Sequence, residues 1–201
     1  MTKDYISLWN KFCHNEDNES FSVIYMDHYD LLFNYGNKFT RDTEIIEDSI
    51  QNIFSYFLKN RRSLRDIKNV KGYLLKCFRR QLFHDIRKEK RMVSIAEVPE
   101  GSFSLFNSPE QDLIDREGQV NLKKLIRNSI RELSPRQQEM IYMRFVFNLT
   151  YEDISEMLGI NVDTCYKTIY RSIKAIRIHT ETILNSKNSY NGSSDPGTID
   201  T

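Results

Sequence analysis

The stretch from Leu149 to Arg177 constrains the fold most, because it carries two helix start signals around a single glycine. Thr150 stands three residues before Asp153 and just ahead of apolar residues, which predicts a capped helix that ends before Gly159. The glycine supplies the left-handed residue that stops this helix. Asn161 is the expected N-cap of a second helix. The segment is therefore predicted to form two short helices joined by a tight turn.

The second helix of this segment is predicted to bury one side and to expose a basic one. Its buried stripe follows a spacing of four, four and three residues and consists of Cys165, Ile169, Ile173 and Ile176. The other face mixes base-edge hydrogen bonders with cations that pair with phosphate: Asp163, Tyr166, Lys167, Tyr170, Arg171 and Lys174. This arrangement is typical of a helix-turn-helix motif. A helical hairpin with a solvated charged face is the alternative that this segment alone leaves open.

Composition favours an all-α chain. The 201 residues include only 7 Gly and 4 Pro, and they show no alternating apolar and polar runs bounded by turn signals. No apolar stretch approaches the roughly 20 residues that span a bilayer, and the N-terminus lacks a secretory signal, so a cytoplasmic protein without membrane insertion is expected. The three cysteines are far apart, which fits a reducing compartment and argues against disulfides and zinc. Cys77 and Cys165 are interpreted as small buried residues.

Charge is strongly segregated along the chain. Residues 1–60 hold 5 Lys/Arg against 10 Asp/Glu, whereas residues 61–91 hold 12 Lys/Arg against 3 Asp/Glu. Residues 92–117 reverse the sign again, with 6 Asp/Glu and one Arg, and contain Pro and Gly residues that break helices. The basic segment is a concentrated anion-binding footprint.

These boundaries predict two small helical domains joined by a flexible acidic linker. The N-terminal domain covers residues 1–92, the linker 93–119 and the C-terminal helix-turn-helix domain 120–185. Residues 186–201, rich in Ser, Asn and Gly, are expected to form a disordered tail.

Three amphipathic helices are predicted in the N-terminal domain, at Phe21–Phe39, Asp42–Leu58 and Val70–Lys90. The second exposes a polar face of Glu47, Asp48, Gln51 and Asn52, which either binds a partner or is only solvated. The third carries a stripe with cations and an aromatic side chain, consisting of Lys76, Arg80, Phe83 and Arg87. Such a stripe suits single-stranded or melted nucleic acid, although Phe83 could equally belong to the core. Arginines of the loop Lys59–Asn69 could line a pocket for an unstacked base.

An enzyme is not expected. The sequence offers no nucleophile beside a base and no phosphate loop rich in glycine, and its histidines are scattered. Asp42, Glu44, Glu47 and Asp48 form the only dense acidic group, which an amphipathic surface explains without metal. No cofactor is predicted.

The order of these segments resembles that of bacterial sigma factors of the extracytoplasmic-function group. The resemblance covers residues 8–180 and rests on IEDSIQNIF at 46–54, GYLLKCFRRQLFHDIRK at 72–88 and the block LSPRQQEMIYMRF onwards at 133–177. In the last block the expected cap, first-turn proline and capping-box partner are Ser134, Pro135 and Gln137. The chain looks most similar to Bacteroidetes-type members, which are paired with membrane-bound anti-sigma factors.

The resemblance implies three binding surfaces. Core RNA polymerase, through the clamp helices and flap of its large subunit, would be the main protein partner, and its clamp would contact Glu47, Asp48, Gln51 and Phe54. The minus-ten element of promoter DNA would be captured and opened by Arg61, Arg62, Arg65, Lys76, Arg80, Phe83, His84 and Arg87. The minus-thirty-five element would be read by Asp163, Tyr166, Lys167, Tyr170, Arg171 and Lys174. The acidic linker would thread the polymerase channel in imitation of RNA, and an anti-sigma factor would restrain the protein.

Two departures from the family pattern stand within the minus-ten helix. Members commonly have asparagine, then an acidic residue or asparagine, where this chain has Arg80 and His84. Preference for minus-ten bases is therefore open. The competing interpretation is a stand-alone helix-turn-helix regulator that binds a palindrome as a dimer, but it leaves the basic segment at residues 61–91 unexplained.

Overall fold

A computed structural model describes residues 3–64, 67–89, 103–106 and 122–191. Within these ranges the chain is helical and contains no strand, as the sequence predicts. The helices are α1 (Tyr5–Asn15), α2 (Asn18–Gly36), α3 (Thr43–Asn60), α4 (Val70–Glu89), α5 (Leu122–Arg131), α6 (Pro135–Phe145), α7 (Tyr151–Leu158) and α8 (Val162–Asn191). A short 3-10 turn, Arg61–Ser63, follows α3. None of the described helices is long and apolar enough to cross a membrane.

The predicted helix caps are present. Thr150 and Asp153 form a reciprocal capping box at the start of α7, and Gly159 ends that helix in the left-handed region with φ 64°. The Asn161 side chain accepts a hydrogen bond from the Thr164 amide at 2.6 Å and caps α8. Ser134 and its partner Gln137 cap α6 in the same reciprocal manner. Short polar side chains therefore satisfy helix amides where the sequence places them.

Helices α1 to α4 pack into the first helical group. The predicted stripe of α3, consisting of Ile46, Ile50, Ile53 and Phe57, is buried, and so is the α4 stripe of Leu75, Phe78, Leu82 and Ile86. The Trp9 indole Nε1 lies inside this core and donates to the Leu64 carbonyl oxygen at 3.0 Å. Gly36 lets α2 approach α3 closely, because a Cβ there would lie 2.8 Å from Ile46 Cγ2.

Helices α5 to α8 form the second group, and the buried stripe of α8 differs from the predicted one. Cys165 and Ile169 are buried as predicted, but Ile173 is 42% exposed and Ser172 takes the buried position. Residue 172 lies seven positions after residue 165, which is close to two helical turns, whereas position 173 rotates away from the core. Ser172 satisfies its buried hydroxyl by donating to the Thr168 carbonyl oxygen at 2.9 Å.

The two groups are in contact, and part of the predicted linker lies between them. The Ser104 amide donates to the Lys38 carbonyl oxygen at 2.9 Å, and the Leu105 amide donates to Gln138 Oε1 at 3.3 Å. Phe103 is buried, with its ring 5.3 Å from that of Phe39, which follows the end of α2. Residues 103–106 are thus anchored rather than free, while the rest of the predicted linker lies outside the described residues.

The last helix is longer than predicted. The predicted second domain ends at Asn185, but α8 continues to Asn191. The predicted tail therefore begins with six helical residues, and residues 192–201 lie outside the described part of the chain.

Candidate nucleic-acid and partner interfaces

The basic face of α4 carries most of the residues predicted for the minus-ten element. Arg80 and His84 are exposed, while Lys76 and Arg87 are partly buried on the same helix. Nε of Arg87 has no hydrogen-bond partner among the described residues, although it is buried. A helix face that exposes Arg80 beside other cations suits a phosphate backbone.

Several of the predicted cations are already paired. Lys76 Nζ lies 2.5 Å from Glu156 Oε1 of α7, in an ion pair exposed on both sides. Arg61 and Arg62 both contact the Glu16 carboxylate at the end of α1, at 2.5 and 3.7 Å. Such exposed pairs contribute only about 0 to 1 kcal/mol, so DNA phosphates could replace the carboxylates at small cost. Arg65 lies outside the described residues.

Phe83 does not offer a stacking surface. Its side chain is 8% exposed and packs edge-on against Phe39 at 4.9 Å, and the Arg79 guanidinium covers the ring at 4.4 Å. The prediction that this ring stacks on a base is therefore wrong, and the core alternative holds. The reason is the helical periodicity: position 83 adjoins the buried Leu82 and faces Phe39, which follows the end of α2.

A groove of about 610 Å³ runs between α3 and α4. It is lined by Asn52, Tyr56, Tyr73, Arg80, Gln81 and His84, among others. Tyr56 is 53% exposed, so an aromatic surface is available here rather than at Phe83. The size lies in the range of small-molecule sites, and aromatic rings beside amide and cationic groups suit an unstacked base.

The sequence analysis missed the polar residues that organise this groove. Ser49 from α3 donates to Asp85 Oδ2 at 2.7 Å, and Gln81 Nε2 lies 2.9 Å from Asp85 Oδ1. The only signal in the sequence was the four-residue spacing of Gln81 and Asp85, which places them on one helix face.

The predicted reading face of α8 is exposed along its length. All six predicted side chains face solvent: Asp163, Tyr166, Lys167, Tyr170, Arg171 and Lys174. The Tyr166 and Tyr170 rings stack 6.4 Å apart, and Lys167 Nζ pairs with Asp163 Oδ2 at 2.7 Å along the helix. This face follows the Gly159 turn and is exposed to solvent, with one edge contact between the Tyr166 ring and Tyr151 of α7 at 5.4 Å. An exposed second helix of this kind is the geometry that major-groove insertion requires.

The acidic face of α3 agrees with the prediction except at one residue. Glu47, Asp48 and Gln51 are exposed, whereas Phe54 is 3% exposed. Phe54 packs edge-on against Tyr25 at 4.8 Å, so it supports the surface from below and makes no outward contact. Phe54 lies three residues after Gln51, which predicts the same exposed face of α3. It also adjoins the buried stripe that contains Ile53 and Phe57.

Three aromatic residues on α2 extend this acidic face and were missed. Tyr25, Tyr29 and Phe33 recur every four residues and are partly buried, and the Tyr29 and Phe33 rings stack 6.1 Å apart. Partial burial, with the nearby Glu47 carboxylate, raises the pKa of Tyr29, so its hydroxyl stays neutral. Partly exposed aromatic side chains beside acidic groups are typical of protein interfaces.

A buried polar cluster joins the two helical groups. The Glu139 carboxylate of α6 accepts from the Tyr35 hydroxyl at 2.7 Å and from Arg79 Nε at 2.8 Å. Burial, together with Glu139, raises the pKa of Tyr35 well above its usual value. Burial opposes the charge of Arg79, but Glu139 and Tyr35 reverse this effect and raise its pKa overall. The cluster therefore holds α2, α4 and α6 together through the Arg79–Glu139 ion pair and the hydrogen bond from Tyr35.

Two further contacts join the two helical groups along the same boundary, called the seam below. Lys71 Nζ donates to the Phe147 carbonyl oxygen at 2.6 Å, and Asn69 Nδ2 donates to Asp153 Oδ2 at 2.7 Å. The seam thus lies against α4, whose outer face carries the predicted DNA contacts. Across the described residues, no group of three or more acidic, histidine or cysteine side chains could hold a metal ion.

Two regions of the chain, one in each helical group, match known protein families. Residues 24–92 match the family described as Sigma-70 region 2, and residues 123–176 match Sigma-70, region 4. Together the two segments span more than half of the chain, in the order that the sequence analysis expects. The α3–α4 groove and the acidic face of α3 lie in the first segment, and the exposed face of α8 lies in the second.

Individual proteins agree with this assignment. The chain is 24% identical over 159 residues to the probable ECF RNA polymerase sigma factor SigI of Mycobacterium tuberculosis, covering 77% of this chain and 53% of SigI. It therefore spans about half the length of that relative. It is 24% identical over 152 residues to RNA polymerase sigma factor SigV of Bacillus subtilis, covering 76% of this chain and 83% of SigV. A similar fold, with TM-score 0.51 and 17% identity, occurs in the sigma factor RpoE solved with the anti-sigma factor NepR from Bartonella quintana, covering 82% of this chain and 96% of RpoE.

Proposed function

The chain belongs to the sigma-70 family, and we propose that, as a member of its extracytoplasmic-function group, it binds core RNA polymerase and directs promoter-specific transcription initiation. The observation that carries this proposal is the presence of exposed basic surfaces on α4 and α8, each within one of two sigma-70 regions that follow in the expected order. The role needs no catalysis by the chain itself, and it places the protein in the cytoplasm with the polymerase.

Each helical group has its own proposed role. Residues 1–92 would bind core polymerase and open the minus-ten element, residues 93–119 would link the groups, and residues 120–185 would read the minus-thirty-five element. Each basic surface is small, and phosphate contacts contribute additively to affinity. Neither surface alone is expected to bind duplex DNA tightly, so the polymerase would supply the fixed spacing between them.

The α3 face is the proposed docking site for the polymerase. Glu47, Asp48 and Gln51 would form polar contacts, and Tyr29 beside them would supply the apolar contact area. The variant Asp48→Lys reverses one exposed charge in this surface and is expected to lower affinity for core polymerase at least about tenfold. The matched control is Glu132→Lys, which makes the same reversal at an exposed site in the other helical group. Equal affinity of both variants would remove this face from the proposal.

The α3–α4 groove is the proposed acceptor of an unstacked minus-ten base. Tyr56 offers a ring for stacking, and Arg80 at the groove offers a cation for the adjoining phosphate. Lys76 could join this contact only after its ion pair with Glu156 of α7 opens. We therefore expect the two helical groups to move apart when the polymerase and the promoter bind.

An anti-sigma factor is the proposed regulatory partner. The support is the likeness of the fold to RpoE, which was solved with the anti-sigma factor NepR. The sequence blocks at residues 46–54, 72–88 and 133–177 further suggest a Bacteroidetes-type factor, and such factors are paired with membrane-bound anti-sigma proteins. Capture of a membrane protein by the tagged chain in its own host, lost when core polymerase is added in excess, would support this pairing.

Footprinting of the assembled complex tests the assignment of surfaces. Single-stranded thymines near the minus-ten element should become reactive to permanganate only with core polymerase and the chain together. The variant Arg80→Ala should reduce this reactivity while protection near minus thirty-five persists, whereas Arg171→Ala should weaken both, because it lowers occupancy. Protection of a palindrome by the chain alone would instead favour a stand-alone regulator and would overturn the proposal.

A further inference from the structure

Asp85 is the centre of a hydrogen-bond network at the edge of the α3–α4 groove. It accepts from Ser49 Oγ at 2.7 Å and from Gln81 Nε2 at 2.9 and 3.0 Å, and His84 Nδ1 lies 3.0 Å from its Oδ1. Burial alone would raise the pKa of Asp85, but the hydrogen bonds from these three side chains lower it overall. The side chain is therefore an ionised carboxylate that can only accept hydrogen bonds.

This carboxylate fixes the orientation of the Gln81 amide. Because both oxygens of Asp85 accept, Gln81 must turn its Nε2 toward them and its Oε1 away. Gln81 also lines the groove, and among the described residues its side chain hydrogen-bonds to Asp85 through Nε2, not through Oε1. The hydrogen bonds to Asp85 therefore fix the direction of Gln81 Oε1, an acceptor that lines the groove.

The same carboxylate fixes the tautomer of His84. The ionised Asp85 carboxylate can only accept, so Nδ1 of His84 carries a proton, and a neutral His84 ring presents Nε2 as an acceptor. His84 is exposed and lines the groove beside Gln81. Gln81 Oε1 and, on a neutral ring, His84 Nε2 therefore provide two acceptors on one wall of the groove.

We infer that Asp85 is a positioning residue that makes this groove select an unstacked base with an exocyclic amino group and reject thymine. An amino group offers two hydrogens to two acceptors: N6 of adenine, N4 of cytosine, or N2 of guanine with its neighbouring N1. Thymine offers one N–H flanked by carbonyl oxygens, which the two acceptors repel. The inference rests on the proposed function, because it names the base that the proposed minus-ten surface accepts.

Selection from a randomised promoter library tests this inference. Core polymerase with the full chain would be mixed with forked duplexes whose minus-ten non-template strand is single-stranded and random, and the bound strands would be sequenced. At one position, bases with an amino group should exceed thymine at least about fivefold, as one or two hydrogen bonds allow. Replacing that base with its analogue lacking the amino group, such as purine for adenine or hypoxanthine for guanine, should remove the advantage.

Two variants separate positioning from simple stabilisation. Asp85→Asn can both donate and accept, so it no longer dictates the orientation of Gln81, and the preference should fall below about twofold. Gln81→Met keeps the side-chain length, removes the acceptor and should lower the preference likewise. The control Glu89→Gln removes one exposed charge from the same helix and should leave the ratio unchanged. If Asp85 only stabilised the fold, its variant would lower binding of all bases equally, and the ratio of bases with an amino group to thymine would not change.

The outcomes distinguish this inference from the proposed function. Equal recovery of thymine by the wild-type complex, or an unchanged preference in Asp85→Asn and Gln81→Met, would overturn the role of Asp85 while leaving the sigma factor intact. A complex that selects no sequence at any position and does not open promoters would overturn the proposed function and the inference with it.

Discussion

Removal of the Glu139 side chain should show whether the two helical groups are packed together in solution. Its carboxylate is 3% exposed and accepts from Tyr35 and Arg79 across the seam. The variant Glu139→Ala leaves the Arg79 guanidinium, 16% exposed, without its charge partner. Breaking a buried pair in this way typically costs about 3 to 5 kcal/mol. Because Arg79 retains some access to water, we expect a loss near about 3 kcal/mol in the free energy of unfolding.

Equilibrium urea unfolding followed by circular dichroism measures this loss. The control Glu132→Ala removes an exposed carboxylate nearby and should change the free energy of unfolding by less than about 0.5 kcal/mol. The double variant Arg79→Met with Glu139→Leu should recover most of the stability, since apolar residues can replace a buried pair. Equal stability of Glu139→Ala and the wild type would refute the reasoning and would mean that the seam is open in solution.

Three further predictions concern single elements. Gly159→Ala should lower the free energy of unfolding by about 1 kcal/mol in thermal melts, because the residue has φ 64° while nothing crowds its Cβ position. Lys167→Ala and Arg171→Ala should each weaken the promoter complex by about 1 to 3 kcal/mol, and loss of a phosphate contact should also lower the salt slope of binding by about one. Burial lowers the pKa of His28. The free energy of unfolding should therefore be highest above the pKa that His28 has in the unfolded state, and it should decrease as the pH falls below that pKa. The variant His28→Gln should reduce this decrease in unfolding curves recorded between about pH 7.5 and 5.

Local signals account for what the sequence predicted well. The caps at Ser134, Thr150 and Asn161 and the stop at Gly159 depend on residues within four positions, and all are present. The apolar stripes of α3 and α4 are equally local, because a period near 3.6 fixes their buried face. The exposed faces of α3 and α8 follow from the same rule.

Long-range packing accounts for what the sequence did not predict. Phe54 and Phe83 lie at the border between two helix faces, and both are buried by rings distant in sequence, Tyr25 of α2 and Phe39 in the turn after it. Ile173 is apolar but has no partner helix beside it, so it remains exposed. The Glu139 cluster joins residues that are 60 and 104 positions apart in sequence, and no local pattern marks such pairs.

Run-off transcription with purified bacterial core polymerase tests the central claim most directly. Promoter fragments from the host genome would be transcribed with core polymerase alone, with the chain alone and with both together. We predict specific transcripts only when both are present, and fewer of them with Asp48→Lys or Arg171→Ala. The absence of any new start site in the combined reaction, with the chain folded and the polymerase active on a control factor, would contradict a role in initiation.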